Sequence, residues 1–298
     1  MITFPTVLIL GAGASVPYGF PSGADLKKVV VDIIRSNPSD DYRVLNMLGH
    51  HTADLQTFRQ ALVQSGRPSV DAFLEHRSDL VDLGKRLMAI ALLGCETPES
   101  LFTSSANWYD RLFQAMDAPF ESFADNKLSV ITFNYDRSLE QYLYLALQNS
   151  YGKSHDEVIG VLERITIVHV HGKLGPLPWQ ADRARPYAPT RAPDDVLLAA
   201  EGIRIISELA EERAAFDPAK SLIEASERII FLGFGFHRAN FDRLRLELDG
   251  RPRQYFASAY GLTDLERGII EEWFRPQSPH LGGPEWDCIR FLRERVPL

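Results

Sequence analysis

Two cysteines, Cys95 and Cys288, are all that 298 residues contain, and they form no C-x-x-C pair. That excludes a four-cysteine zinc module and argues against a disulfide framework; reduced, buried thiols in a cytoplasmic protein are the expectation. No apolar run approaches the ~18 residues that span a membrane. Residues 1–10 lack the basic segment and long apolar stretch of a secretion signal. There is no internal repeat and no low-complexity tract. Basic residues do not predominate either: 32 Lys and Arg against 40 Asp and Glu leave a formal net charge of −8. Such a balance argues against a broad nucleic-acid surface, with a local basic groove left open. No Ser–His–Asp or zinc-protease spacing occurs, and no metal site is expected.

What is present is a set of glycine-rich or polar clusters, each at the end of an apolar run. Val7-Leu8-Ile9-Leu10 leads into Gly11-Ala12-Gly13-Ala14-Ser15. A strand ending in such a turn before a helix offers backbone N–H groups to a phosphate: the first glycine permits the turn and the second lets backbone approach a pyrophosphate. Ser15 adds a hydroxyl where phosphate oxygens would lie. The run Leu128–Phe133 ends in Thr132-Phe133-Asn134-Tyr135-Asp136. Asn134 offers a donor and an acceptor without charge, and Asp136 is equally a helix cap or a catalytic group. His169 and His171 are read on one face of a strand. His171 precedes Gly172 at the strand end, and an imidazole with its ordinary pKa near ~6.5 suits a general base. Finally, Arg228–Leu232 runs into Gly233-Phe234-Gly235-Phe236, whose glycines permit close approach to the adenosine half of a dinucleotide.

Between these clusters the pattern predicts a helix at 23–36 capped by Ser22, with Leu26, Val29, Val30, Ile33 and Ile34 on its inner face. It predicts no strand over 37–127 but helices such as 69–93, capped by Ser69, and 106–117. Further strands are expected at 165–171 and 253–258, and helices at 137–149, 196–215, 218–226, 238–248, 263–274 and 285–295. Five prolines mark 173–195 as a mobile loop. The expected fold is α/β, a doubly wound, mostly parallel Rossmann-like sheet with a helical insertion. One catalytic unit would have its core from 1–36 and 128–260, an insert near 37–127 and terminal helices near 261–298. In such sheets ligands lie beyond the carboxyl ends of the strands, where all the clusters fall.

Taken in order, these clusters resemble the sirtuin signatures. Gly11–Ser15 followed by Gly19-Phe20-Pro21-Ser22 resembles the first of them. Thr132–Asp136 resembles T-Q-N-x-D, His171-Gly172 the catalytic H-G, and Gly233–Phe236 the later ligand-binding turn. Ser69-Val70-Asp71-Ala72-Phe73-Leu74-Glu75 is similar to the S-V-D-x-F-L-E of bacterial sirtuin-like proteins of antiviral defence. Phe133 replaces the family's Gln, the zinc module is absent, and D-F-R does not follow Pro21. The resemblance therefore implies cleavage of the nicotinamide–ribose bond of NAD+ more than acyl-lysine chemistry. It implies NAD+ as substrate, held by Gly11, Ala12, Gly13, Ser15, Pro21, Ser22, Thr132, Gly172, Gly233, Gly235 and Phe236. Asn134, His171 and Asp136 would be catalytic. It also implies a homo-oligomer, an activating partner such as an ATPase or a nucleic-acid sensor, and no zinc. An NAD+ or ADP-ribose sensor and an NAD+-dependent deacylase are the alternatives.

Overall fold

The computed structural model describes residues 1–205, 212–244, 246 and 253–298. Six strands form one sheet: β1 (Thr6–Leu10), β2 (Leu128–Thr132), β3 (Thr166–His169), β4 (Arg228–Leu232), β5 (Gln254–Ala257) and β6 (His280–Leu281). Their order is β3-β2-β1-β4-β5-β6 and every pairing is parallel. This is the doubly wound α/β arrangement expected. Every residue of β1 and of β4 is buried. Burial on both faces explains why these strands read as unbroken apolar runs and not as alternation.

Side chains alternate across the sheet and feed two cores. Leu8, Leu10, Val130, Ile230 and Leu232 belong to the larger, shared with the helices of 23–115. Ile9, Ile131, Phe231 and Tyr255 belong to the second, an aromatic-rich layer with Phe234, Phe236, Phe241 and Phe274.

The helices follow the sequence with instructive differences. Ser22 caps Gly23–Arg35 by accepting from the Asp25 amide at 3.2 Å. Its inner face takes Val31 in place of Val29, which is 36% exposed. The helix expected over 69–93 is broken into Val70–Leu74, a 3-10 turn at Ser78–Leu80, and Val81–Leu93. Among the described residues 37–127 contain no strand. The helix His155–Leu162 was not expected. The segment expected as 196–215 begins as Pro193–Gly202, and its residues 206–211 lie outside the described residues. The helix expected at 238–248 is seen as Arg238–Arg243, with 245, 247 and 248 outside the described residues.

The strand order reverses between β1 and β4, and there the two glycine-rich turns meet backbone to backbone. The Gly11 amide donates to the Leu232 carbonyl at 3.0 Å, and the Gly13 amide to the Gly233 carbonyl at 3.0 Å. A Cβ on Gly233, which holds φ +57°, would stand 1.9 Å from the Ala14 nitrogen. The glycines are therefore demanded by the packing of one turn on the other, whatever ligand they also serve. Gly233→Ala is expected to cost roughly 4 kcal/mol, since neither the backbone angle nor the space admits a methyl. An unaltered urea midpoint in that variant would show the two turns able to part without loss.

Candidate active site

The Gly11–Ser15 turn differs from the expected phosphate cradle. No long helix starts there; two 3-10 turns, Ala12–Ala14 and Val16–Tyr18, intervene before the first α-helix. Most of its amides are occupied: Gly11 and Gly13 by the β4 turn, Ala14 by the Gly11 carbonyl, Ser15 by the Ala12 carbonyl. Among the described residues the Ala12 amide alone in this turn has no partner, and Ala12 is half-buried.

Ser15 is not turned toward a ligand. Its hydroxyl is buried, donates to Asp136 Oδ2 at 2.7 Å and accepts from Asn134 Nδ2 at 2.9 Å. Asn134 Nδ2 also donates to the Gly11 carbonyl at 3.0 Å. That carbonyl only accepts, which fixes the amide's orientation and uses both of its protons. Asn134 Oδ1 is left as an acceptor with no donor among the described residues, in a side chain that is buried. Oδ1 is not among the side-chain atoms shut off from solvent without a partner, so a water or a ligand hydroxyl can reach it and donate to it. The Asn134 amide nitrogen is held by Thr132 Oγ1 at 3.0 Å, so Thr132 braces the turn from within.

Asp136 ties three segments together. Besides Ser15 it accepts from the Ser138 amide at 3.2 Å and from the Ser138 hydroxyl, at the start of helix Ser138–Tyr151. The Ser138 hydroxyl in turn meets the Tyr109 hydroxyl at 2.7 Å. Burial pushes the Asp136 carboxyl up, and the bonds from Ser138 and Ser15 oppose that. Its role here is to fix helix and turn. Nearby, the Tyr187 hydroxyl is buried with no partner among the described residues; burial lifts its pKa, and Asp136 and Glu96 add to the effect.

The two histidines part company, because β3 ends at His169. His169 binds Glu140 of helix Ser138–Tyr151 and the Asn134 carbonyl. His171 is buried with its ring edge-on to Phe133, 5.4 Å between centroids, and to Phe216, 6.0 Å. Val170 N donates to Thr132 O at 3.0 Å, which continues the β2–β3 ladder and sets 170–171 beside 133–134. Phe133 thus forms an apolar wall for the His171 ring. Gly172 carries φ +75°, and a Cβ there would stand 2.0 Å from the Gly202 carbonyl.

The remaining expected ligand residues scatter. Ser22 is engaged in capping, Pro21 is half-buried, and Gly235 is exposed. Phe236 holds φ +48°, and its ring is buried among Phe231, Phe234, Phe241 and Phe274. It belongs to the second core.

No motif or periodicity signals how firmly the 37–127 segment grips these strand ends. Trp108 Nε1 donates to the Ala14 carbonyl at 2.7 Å, and the Tyr18 hydroxyl to Asn107 Oδ1 at 3.0 Å. The Tyr135 hydroxyl donates to Asp71, inside the Ser69–Glu75 motif. Arg137, next to Asp136, grips Glu96 with Nε at 2.9 Å and Nη2 at 2.7 Å, and Arg185 binds the same carboxylate. All three side chains of this cluster are inaccessible to solvent. Arg137 also donates to the carbonyls of Pro176, Arg185 and Pro186. The proline-rich segment expected to be mobile is therefore pinned from within over 174–186.

Glu140 is a third buried carboxylate, after Asp136 and Glu96. Burial alone would raise it, but His169 and then Lys173 outweigh that and hold it at about 2. A carboxyl depressed from 4.5 contributes stability that is complete above about pH 4.5 and is lost as the pH falls toward 2. Glu140→Gln should abolish that part of the acid loss, up to about 3 kcal/mol. Urea titrations at pH 6 and pH 3 on both proteins measure it; equal acid losses would remove the assigned ion pair.

Among the described residues no group of three or more His, Cys, Asp or Glu is placed to hold a metal ion, and no helix is long and apolar enough to cross a membrane. Residues 128–261 match the SIR2-like domain family. The match supports a sirtuin-like family and points to NAD+ and an NAD+-dependent enzyme. It contains Asn134, Asp136, His171 and the Gly233 turn; the Gly11–Ser15 turn, which Asn134, Asp136 and Gly233 touch, lies before it. No curated protein matches the chain.

Proposed function

We propose that this protein hydrolyses NAD+ to nicotinamide and ADP-ribose. The observation that carries this reading is the Asn134 side chain. Its donor end is tied to Gly11 and Ser15, and its acceptor end is open at the reversal point of a sheet of the dinucleotide-binding order. An open acceptor there suits a ribose hydroxyl or a water, both of which donate. The free Ala12 amide suits a phosphate oxygen beside it.

In this reading the nicotinamide–ribose bond breaks with oxocarbenium character at the anomeric carbon. Nicotinamide leaves as a neutral molecule, so no strong acid is required. Water adds to the anomeric carbon, and its proton passes to His171. Asn134 Oδ1 orients the donor, and Asp136 keeps the Ser15 turn and helix Ser138–Tyr151 in place. The apolar wall of Phe133 and Phe216 limits bulk water around the imidazole.

Uncontrolled cleavage of NAD+ would exhaust a cell. We therefore propose a regulated, NAD+-depleting effector of antiviral defence, with low resting activity relieved by self-assembly or by an activating partner. The attachment of Asp71 to Tyr135 supports this subgroup, because it joins the Ser69–Glu75 motif to the Thr132–Asp136 motif. The test is incubation of purified protein with NAD+ and chromatography of the products, in dilute and concentrated samples. Free nicotinamide with plain ADP-ribose is expected. Tight binding of NAD+ without nicotinamide release would instead make the protein a sensor, and O-acetyl-ADP-ribose from an acetylated peptide would make it a deacylase.

A further inference from the structure

His169 has no part in the chemistry just described, yet it is bound at both nitrogens. Nδ1 lies 3.1 Å from the Asn134 carbonyl oxygen and Nε2 2.9 Å from Glu140 Oε1. Neither partner has a proton to give: a peptide carbonyl only accepts, and so does an ionised carboxylate. A neutral imidazole has one donor and one acceptor nitrogen, so it satisfies one of these partners and turns a lone pair on the other. An imidazolium donates to both.

What the ring holds matters to the site. The Asn134 amide nitrogen is engaged within its own turn, with Thr132 Oγ1, and among the described residues the Asn134 carbonyl accepts from His169 alone. That peptide carries the carboxamide that faces Gly11 and Ser15. We propose that His169 is a positioning residue: as an imidazolium clamped by Glu140, it fixes the Asn134 peptide and with it the open Oδ1 acceptor. This rests on NAD+ cleavage as the reaction.

The groups facing the pair are few. From β2, the register partner of His169 is the uncharged Thr132. From the loop after Gly172, Lys173 Nζ stands 4.0 Å from Glu140 Oε1 and 2.7 Å from Gln180 Oε1. Glu140 acts on Asp136 and Arg137 on Lys173, each through space. A neutral ring keeps only one of the two bonds, and the charge-assisted one to Glu140 is the stronger. The Asn134 carbonyl is then released. Glu140→Gln separates charge from position, because the new amide can donate to Nε2 while a neutral ring still donates from Nδ1 to Asn134.

Two measurements test the proposal. Nitrogen-15 NMR of the ring at pH 7 should show both nitrogens of His169 protonated in the parent protein and only Nδ1 in Glu140→Gln. In nicotinamide release, His169→Gln should lose about 10- to 100-fold in kcat with little change in KM. Glu140→Gln should keep most of the neutral-pH rate, because the neutral ring still donates from Nδ1 to the Asn134 carbonyl. A singly protonated ring in the parent, or the same protonation in both proteins, overturns the proposal even if His169→Gln does not fold. If the parent releases no nicotinamide at any pH, the NAD+ reading has failed, and the NMR result still decides the state of His169.

Discussion

Replacing His171 or Asn134 with alanine is expected to slow nicotinamide release by ~10²–10⁴-fold each, with the fold retained. The two losses have different origins. His171→Ala removes the proton acceptor and leaves a space against Phe133 and Phe216. Asn134→Ala removes the Oδ1 acceptor and two hydrogen bonds, but Ser15 keeps Asp136, and the Gly11 carbonyl still accepts from the Ala14 amide. Asn134→Asp is the sharper companion. It preserves shape while setting a carboxylate against the Gly11 carbonyl, where only a donor is satisfied, so it should lose both rate and about 1–3 kcal/mol of stability. Turnover at saturating NAD+, measured beside a melting curve, separates these effects. A variant that cleaves NAD+ at the parent rate ends the assignment of that residue.

Glu96→Ala should be the most damaging substitution away from the reacting groups. Glu96 is wholly buried and is the shared counter-ion of Arg137 and Arg185, themselves buried. Without it two guanidinium groups face each other in the interior with only backbone carbonyls for partners. Removing one member of a buried ion pair costs ~3–5 kcal/mol, mostly as uncompensated charge. Arg137 adjoins Asp136 and holds three carbonyls of the proline-rich 173–195 segment, so catalysis should fall together with the urea midpoint. If Glu96→Ala unfolds at the parent's urea concentration, the three charges are not held as they stand in the structure.

The sheet was legible because burial on both faces leaves a mark that needs no partner to read. Ile229-Ile230-Phe231-Leu232 is apolar whichever strands flank it. Ser22 and Ser69 were legible as caps because a cap acts on residues two or three positions away. The site was only partly so. Ser15 looked free for a ligand because its partners, Asn134 and Asp136, lie far along the chain. The convergence of Glu96, Arg137 and Arg185 has no periodicity and leaves no motif. The alternation of a strand put His169 and His171 on one face, but β3 stops at His169, and past a strand's end alternation no longer governs direction. Phe236 sat beside two glycines and took on their expected role, although an aromatic ring in a run of buried phenylalanines has a stronger claim on the core. Glycines 11, 13 and 233 were read as space for a pyrophosphate, and the structure shows that they are first the space each turn leaves for the other.

One feature of the sheet bears on how the protein comes to exist. One of its two central strands, β1, precedes the other five in the chain, while the neighbours that register against it, Val130 on one side and Ile230 on the other, are translated long afterwards. Until then Val7–Leu10 is an unpaired, wholly apolar edge, the kind of segment that chaperones bind and that aggregates when they do not. Production of this protein in active form should therefore depend more on the speed of translation and the supply of chaperones than on the stability of the finished molecule.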